Sequence, residues 1–259
     1  MVRKRKKKNT LLIDADILIY KAAVRCEQEI CWDEENEIWS LHADLKEAKH
    51  EVRDELSKLE EDLGAARVLL AFSSKRTFRH ALYPAYKAAR RKVRKPVVLG
   101  PLRAWAKSQY ESIEWPGLEA DDVLGVLAKS HTIPADGGSK IVVSDDKDLE
   151  SVPCYLYKPM KPELGIQRIT YPSARLFHLT QTLTGDSTDG FGGCPGVGPK
   201  RAEAILKKGT WAEVVEAYES KGLNETEALL QARMAKILTP SLFNQNTNEV
   251  TLWNPKKHK

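Results

Sequence analysis

Residues 10–26 read TLLIDADILIYKAAVRC, and this stretch sets the architecture of the chain. The apolar run Leu11–Ile13 predicts a buried strand that ends on Asp14, and ILIYKAAVRC continues with helical spacing. Two further apolar runs, ARVLLAF at 66–72 and KIVVS at 140–144, are separated by helical patterns. Strands that alternate with helices predict an α/β fold with a central, mostly parallel sheet and helices on both faces.

Pattern changes along the chain divide it into three segments. Residues 1–9 form a basic tail, and residues 10–170 form the α/β core. A basic helical arch is predicted as an insertion in this core at about 73–100. From 171 to 259 the pattern is mainly helical, and a helix–hairpin–helix is predicted within it at about 180–208.

The composition excludes several classes of protein. The chain has 259 residues, of which 42% are hydrophobic and 30% charged. This length suits one large α/β domain, or one domain with a small appendage, and is enough for a real core. It contains no apolar run of 18 residues, so we expect neither a transmembrane nor a secreted protein. The four cysteines include no C-x-x-C pair. They predict reduced thiols in a cytoplasmic protein.

The net charge of +5 conceals an uneven distribution. Residues 1–10 carry six Lys or Arg and residues 75–95 carry nine, and neither segment contains an acid. Without these two segments the rest of the chain has a net charge of −10. The first segment is most simply a solvated run of charge. In the second, aromatic side chains such as Tyr86 lie among the charges, a combination that favours binding to phosphates and stacked bases.

Acidic residues cluster where predicted strands end and the next helices begin. They are Asp14, Glu119, Asp121, Asp122, Asp145, Asp146, Asp148, Asp186 and Asp189. The carboxyl ends of parallel strands lie at one edge of a sheet, so these clusters can converge there. Each cluster alone could simply cap a helix. However, crowded carboxylates repel one another unless a cation neutralises them, and all-oxygen sites suit Mg²⁺ or Mn²⁺.

A glycine-rich turn, GFGGCPGVGPKRAEAIL from Gly190, lies between two helical patterns. This context argues against a dinucleotide-binding fingerprint, which requires a strand before the turn. A helix–hairpin–helix fits better, because Gly196 and Gly198 let the backbone approach a phosphate. Lys200 and Arg201 add positive charge. A tight helix–helix turn without a ligand is the alternative.

Five motifs occur together and in order: IDAD, YPAYKAAR, GLEADD, SDDKDL and TGDSTDGFGGCPGVGPKRA. This set resembles the 5′-nuclease family of flap endonucleases and 5′–3′ exonucleases, and it looks most like the small stand-alone phage enzymes. The resemblance covers about residues 10–210. It implies a hydrolase that cleaves DNA from or near 5′ ends in replication, recombination or degradation, through two Mg²⁺ or Mn²⁺ ions.

The resemblance also implies roles for individual residues. One ion would be held by Asp14, Glu119 and Asp121, with Asp122 nearby, and the other by Asp146, Asp148, Asp186 and Asp189. Lys87 and Arg90 match the catalytic contacts of the arch to the scissile phosphate. The implied DNA-binding residues are Tyr86, Arg91, Gly196, Gly198, Lys200 and Arg201. The family often holds a K⁺ ion at the hairpin.

The implied partner is double-stranded DNA with 5′ ends, nicks or flaps, with an RNA–DNA hybrid as a further substrate, and the implied state is a monomer. One position departs from the family pattern: Ser73 and Ser74 follow the strand before the arch, where many members have an aspartate. Two other functions stay open at this point. A toxin-like ribonuclease would share the acidic edge, and a non-catalytic DNA-binding protein would share the hairpin and the basic segment.

Overall fold

The computed structural model describes residues 8–131 and 138–256. Most of the predicted basic tail, residues 1–7, therefore lies outside the described residues. In the described part, no helix is both long enough and apolar enough to span a bilayer.

A six-stranded sheet forms the centre of the molecule. The described residues contain ten strands, six of which belong to this sheet: β1 Asn9–Asp14, β2 Glu27–Asp33, β3 Ile38–Ala43, β4 Ala65–Ala71, β5 Ser112–Ile113, β6 Lys140–Val143, β7 Tyr155–Tyr157, β8 Gln167–Arg168, β9 Phe243–Asn244 and β10 Glu249–Val250. The order in the main sheet is β5-β4-β1-β6-β7-β8, and all neighbours are parallel except β7 and β8. The mostly parallel sheet predicted from the sequence is confirmed.

The described ranges contain nine α-helices. They are α1 Ala15–Arg25, α2 Leu45–Asp62, α3 Phe78–Leu82, α4 Leu99–Gln109, α5 Ala120–Lys129, α6 Tyr171–Thr184, α7 Pro199–Ile205, α8 Trp211–Glu219 and α9 Glu225–Ala235. Short 3₁₀ helices occupy Ala88–Lys92, Lys147–Ser151 and Pro162–Leu164. Strands β2 and β3 form a separate antiparallel hairpin, and strands β9 and β10 form another.

The alternation of side chains along β1 assigns the helices to two faces. Leu11 and Ile13 point to the layer that contains α1, α2 and α4, whereas Leu12 points to the layer that contains α5. The chain after α9 joins this second layer, because Ile237 and Phe243 pack in the same cluster as Leu12. The C-terminal region is thus anchored on the sheet. It also has its own core, where α6, α7 and α8 meet.

The basic segment is less helical than the sequence predicted. It contains only α3 and the 3₁₀ turn Ala88–Lys92, and not a continuous helical arch. Pro84 is one physical reason, since it disfavours helical backbone at Tyr83, which adopts extended angles (φ −143°, ψ 99°). Lys87 has a left-handed backbone with φ 51°. A continuous helix would have placed Tyr83, Lys87 and Arg90 on one face, and this shared face does not form.

Candidate active site

Four acidic side chains come together at the carboxyl edge of the sheet. Asp14 is the last residue of β1, and Asp121 lies in the first turn of α5. Asp146 and Asp148 follow β6, the strand that pairs with β1. We call Asp14, Asp121, Asp146 and Asp148 the open acidic group, because in the described residues none of the four makes an ion pair with a Lys or Arg.

Burial and mutual repulsion raise the pKa of three carboxyls of the open acidic group. Burial, with the charges of Asp16 and Asp146, raises the pKa of Asp14 to about 7. Burial together with the charge of Asp146 raises the pKa of Asp148 to about 7. Burial, followed by the charges of Asp146 and Asp14, raises the pKa of Asp121 well above its usual value. The charge of Asp146 therefore acts on all three neighbours.

Asp121 carries a further sign that the group is incomplete. Its Oδ1 atom is buried and has no hydrogen-bond partner among the described residues. A buried carboxylate oxygen without a partner is costly, and a bound cation would satisfy it. Asp14 and Asp148 each have an oxygen with a hydrogen-bond partner. Ser144 Oγ donates to Asp14 Oδ2 at 3.0 Å, and Gln181 Nε2 donates to Asp148 Oδ1 at 2.8 Å.

Glu119 and Asp189 form a second acidic set, which basic side chains neutralise. Lys87 Nζ contacts Glu119 Oε1 and lies 3.5 Å from Asp189 Oδ2, and Arg90 donates to Asp189 Oδ1 at 2.8 Å. Although burial alone would raise the pKa of Glu119, the charges of Arg79 and Lys87 lower it to about 2. Burial would also lower the pKa of Lys87, but these two carboxylates raise it. Two predicted arch residues thus lie at the acidic edge.

Asp186 belongs to the same neutralised set. Lys147 Nζ lies 2.8 Å from its Oδ2 atom, and its Oδ1 accepts hydrogen bonds from the backbone N–H groups of Thr188 and Asp189. Burial opposes ionisation of Asp186, but these contacts lower its pKa. A cation that binds here must displace Lys147 or share the carboxylate with it.

The placement of Asp122 differs from the sequence prediction. Its side chain is 0% exposed, and Arg79 binds both of its oxygens, with Nη1 to Oδ2 at 2.6 Å and Nη2 to Oδ1 at 2.9 Å. Arg79 also donates to Glu119 and to the carbonyls of Met234 and Lys236. Asp122 therefore holds α5 against the C-terminal segment and does not face the open acidic group.

Tyr86 also differs from its predicted role as a stacking residue. It is 2% exposed, and its hydroxyl lies 2.7 Å from Glu119 Oε2 and 3.0 Å from Asp189 Oδ2. Burial is the main cause that raises the pKa of Tyr86 well above its usual value, so the phenol stays protonated and donates. A ring held in this way cannot stack on a base. The side chain of the neighbouring Arg91 lies outside the described residues.

Ser73, one of the two serines at the position where the resemblance leads us to expect an acid, belongs to the backbone framework. Its Oγ accepts a hydrogen bond from Ala120 N at 2.9 Å, and its own N–H donates to Asp16 Oδ2 at 2.8 Å. Arg103 pairs with Asp16 and donates to Ser73 O. The serine therefore ties the end of β4 to the first turn of α5, the turn that carries Asp121.

The glycine-rich loop connects α6 to α7 by a close backbone crossing. A Cβ atom on Gly193 would lie 2.3 Å from the backbone N of Gly185, and both residues have positive φ. Only glycine fits at this crossing. Beyond it, Gly196 and Gly198 are exposed, as is Lys200 in the first turn of α7. Arg201 is turned back, since its Nη1 donates to Gly196 O at 2.7 Å.

Sequence reasoning missed three residues of this site. Arg79 is one of nine basic residues in the segment 75–95, and no local signal distinguishes it from the others or marks it as buried. Ser144 and Gln181 have no sequence signal of their own, and only the fold brings them into hydrogen-bond contact with Asp14 and Asp148, respectively. Within residues 8–131 and 138–256, no three His, Cys, Asp or Glu side chains already converge closely enough to form a metal site.

The chain is similar to known nucleases along nearly its whole length. The exodeoxyribonuclease of Enterobacteria phage T3 is 30% identical, and the match spans 96% of this chain and 94% of that protein. The exonuclease of Escherichia phage T7 is 29% identical over the same shares of the two chains. The class is therefore nuclease. Residues 9–154 match the family model described as 5′-3′ exonuclease, N-terminal resolvase-like domain, and the chain belongs to the 5′–3′ exonuclease family.

A solved structure supports the fold independently. The bacteriophage T5 D15 flap endonuclease, solved in complex with DNA and metal ions, superposes with a TM-score of 0.65 at 13% identity. The match covers 88% of this chain and 89% of that chain. At this identity the likeness shows the fold alone.

Proposed function

We propose that the protein is a divalent-metal-dependent nuclease that hydrolyses DNA phosphodiester bonds from or near 5′ ends. The observation that carries this proposal is the open acidic group with its unpartnered Asp121 Oδ1. An all-carboxylate donor set suits Mg²⁺ or Mn²⁺. The T3 and T7 relatives, named as an exodeoxyribonuclease and an exonuclease, support DNA as the substrate.

The metal-binding residues are assigned by charge balance. We propose that a first ion binds at Asp14, Asp121, Asp146 and Asp148, none of which forms an ion pair with a Lys or Arg of the described residues. A second ion would use Asp148 with Asp186 and Asp189, once Lys147 and Arg90 release those carboxylates. Bound divalent ions would activate a water molecule and stabilise the leaving oxygen. Glu119 stays with Lys87 and Arg79, so we assign it a positioning role, and Asp122 is omitted.

The basic side chains at the edge act on the phosphate. Lys87 and Arg90 lie against Glu119 and Asp189, so their positive groups adjoin the open acidic group without entering it. An incoming phosphate would otherwise be repelled by these carboxylates. We propose that both side chains contact the scissile phosphate and stabilise the charge that develops in the transition state.

The Lys87→Ala and Arg90→Ala variants are each expected to lower kcat about 10²-fold, with a much smaller loss of DNA affinity. A contact that is made mainly in the transition state appears in kcat and not in binding. Single-turnover cleavage and equilibrium binding of the same duplex measure the two quantities. Lys95→Ala is the matched control, because Lys95 is exposed in the same basic segment. An equal loss of turnover in that control would contradict the assignment and make bulk charge responsible.

The glycine-rich loop is proposed to hold the duplex backbone. Lys200 is exposed, and next to it the exposed glycines leave the backbone accessible. Lys200→Ala is expected to weaken binding to all duplexes alike and to reduce the slope of log Kd against log salt by about one unit. Titrations at several salt concentrations measure the slope. Lys58→Ala, at an exposed position of α2, should leave the slope unchanged. A Lys200→Ala slope equal to that of the wild type would show a purely structural turn.

The experiment that tests the function is digestion of end-labelled linear, nicked and flapped duplexes, with Mg²⁺ or with EDTA. We expect a 5′ label to be released first and only with the metal. Earlier release of a 3′ label would contradict the proposed polarity, and equal cleavage in EDTA would contradict the metal dependence. The same substrates, compared with single-stranded RNA and an RNA–DNA hybrid, define the substrate range. We propose a monomer that acts in the cytoplasm.

A further inference from the structure

A cleft lies between the chain after α9 and the helices α6 and α8. None of the proposed metal ligands lines it. The cavity volume of the cleft is about 90 Å³. The residues that matter here are Ser151, Arg175, His178, Trp211, Lys236 and Trp253. We call it the Lys236 cleft. A single water needs about 10–15 Å³ on the same measure, so the space is sufficient for a small ligand.

Lys236 contributes a positive charge that nothing in the described residues offsets. No Asp or Glu lines the cleft among the described residues. Burial is the only cause that shifts the pKa of Lys236, and it lowers this pKa to about 8. The charge is also felt by His178, because burial and then Lys236 lower the pKa of the imidazole to about 3. At neutral pH the cleft therefore contains a lysine cation beside a neutral histidine.

Ser151 contributes an unused hydroxyl. The residue is 1% exposed, and its Oγ has no hydrogen-bond partner among the described residues. Native proteins rarely leave a buried hydroxyl unpaired, because the hydroxyl has lost its hydrogen bonds to water and gained none in return. An unpaired donor that lines a cleft with an unpaired cation indicates an anionic ligand with hydrogen-bond acceptors.

The remaining walls suit a ligand with a planar group. The rings of Trp211 and Trp253 are 5.2 Å apart, and the rings of His178 and Trp253 are 4.9 Å apart, both in edge-to-face contact. His178 is held in place by a hydrogen bond of 2.8 Å between its Nε2 and the Ala232 carbonyl. At the mouth, Arg175 is exposed and adds a second cation.

We propose that the Lys236 cleft binds a phosphate group, with Lys236 paired to the phosphate, the Ser151 hydroxyl donating to it and Arg175 closing the mouth. Two sources share this chemistry: free inorganic phosphate and a nucleoside monophosphate, whose base would lie against the aromatic wall. The site is distinct from the acidic edge and does not depend on the proposed metal ions.

The indole N–H resonances of the protein give a test that locates the ligand. The chain has six tryptophans, and only Trp211 and Trp253 line the cleft. The uniformly ¹⁵N-labelled full chain is titrated in EDTA with inorganic phosphate, with deoxyadenosine 5′-monophosphate and with deoxyadenosine. We expect saturable shifts of the Trp211 and Trp253 signals with the two phosphates, small shifts of the other four, and none with deoxyadenosine.

Variants decide whether the named side chains make the site. Lys236→Met should raise the Kd at least about tenfold, and Ser151→Ala about threefold or more. Lys58→Met, an exposed lysine on α2, is the control and should bind as the wild type does. Thermal unfolding verifies that each variant is folded, and the removal of a desolvated charge from Lys236 should not lower Tm.

The titrations separate the two sources and can overturn the proposal. Tenfold tighter binding of the nucleotide than of inorganic phosphate would identify a nucleoside monophosphate as the ligand, and equal binding would identify free phosphate. The proposal would be overturned by no saturable shift with either compound, by unchanged affinity in Lys236→Met, or by equal binding of deoxyadenosine. Shifts confined to Trp32 or Trp39, outside the cleft, would do the same.

Discussion

Replacement of Asp146 by asparagine is expected to lower the rate of DNA cleavage by at least about 10³-fold, while the fold and DNA binding survive. Asp146 raises the pKa of Asp14, Asp121 and Asp148, so it lies at the electrostatic centre of the open acidic group. Asparagine keeps the shape but removes the charge that would hold a cation. A loss of about 4 kcal/mol of transition-state stabilisation corresponds to this factor.

Single-turnover cleavage at saturating Mg²⁺ measures the effect, and unfolding with and without Mg²⁺ provides a second readout. Wild-type Tm should rise with Mg²⁺, because a ligand that binds only the folded state stabilises it, and the rise should be lost in Asp146→Asn. Asp145→Asn is the matched control: Asp145 pairs with Lys21 and accepts a hydrogen bond from Met160 N at 2.8 Å. Near-normal turnover in Asp146→Asn, or an equal collapse in Asp145→Asn, would contradict this account.

Arg79→Ala is expected to lower the free energy of unfolding by about 3–5 kcal/mol. The guanidinium is 1% exposed, and its removal leaves the buried Asp122 carboxylate without a charge partner. Breaking a buried ion pair from one side costs this much because the remaining charge stays desolvated. For a chain of this size, Tm should fall by about 6–20 °C.

Chemical and thermal unfolding of two companion variants separate this effect from loss of general positive charge. Arg76→Ala removes an exposed arginine three residues earlier and should change stability by less than about 0.5 kcal/mol. The double variant Arg79→Met with Asp122→Leu should recover much of the loss, since apolar pairs often replace buried ion pairs at little cost. Equal stability of Arg79→Ala and Arg76→Ala would show that the buried pair has no structural role.

The sequence was sufficient to predict the sheet and the edge where the acids gather. Asp14 and Asp146 could be placed there because each follows an apolar strand, and adjacent parallel strands end at the same edge. The direction of neighbouring side chains on a helix could not be predicted in the same way. Asp121 and Asp122 are adjacent in sequence, but about 100° of helical rotation separates them. Only Asp121 belongs to the open acidic group, whereas Asp122 pairs with Arg79.

The basic segment shows the opposite limit. Its charge and aromatic content predicted contacts with nucleic acid, but the residues divide between burial and exposure according to tertiary contacts. Arg79 and Tyr86 are buried against acidic partners, whereas Arg90 is about half exposed. This division depends on packing against the end of α9 and the residue that follows it, where Arg79 donates to the carbonyls of Met234 and Lys236, 155 and 157 positions along the chain. No local pattern contains that information.

The central claim is that a divalent ion binds at the open acidic group, and anomalous diffraction from crystals of the protein soaked in Mn²⁺ tests it most directly. We predict an anomalous peak at about 2.1 Å from carboxylate oxygens of Asp14, Asp121, Asp146 or Asp148. The peak should be absent in Asp146→Asn crystals and present in Asp145→Asn crystals. Manganese bound only elsewhere, or no bound manganese in a protein that Mn²⁺ activates, would contradict the account.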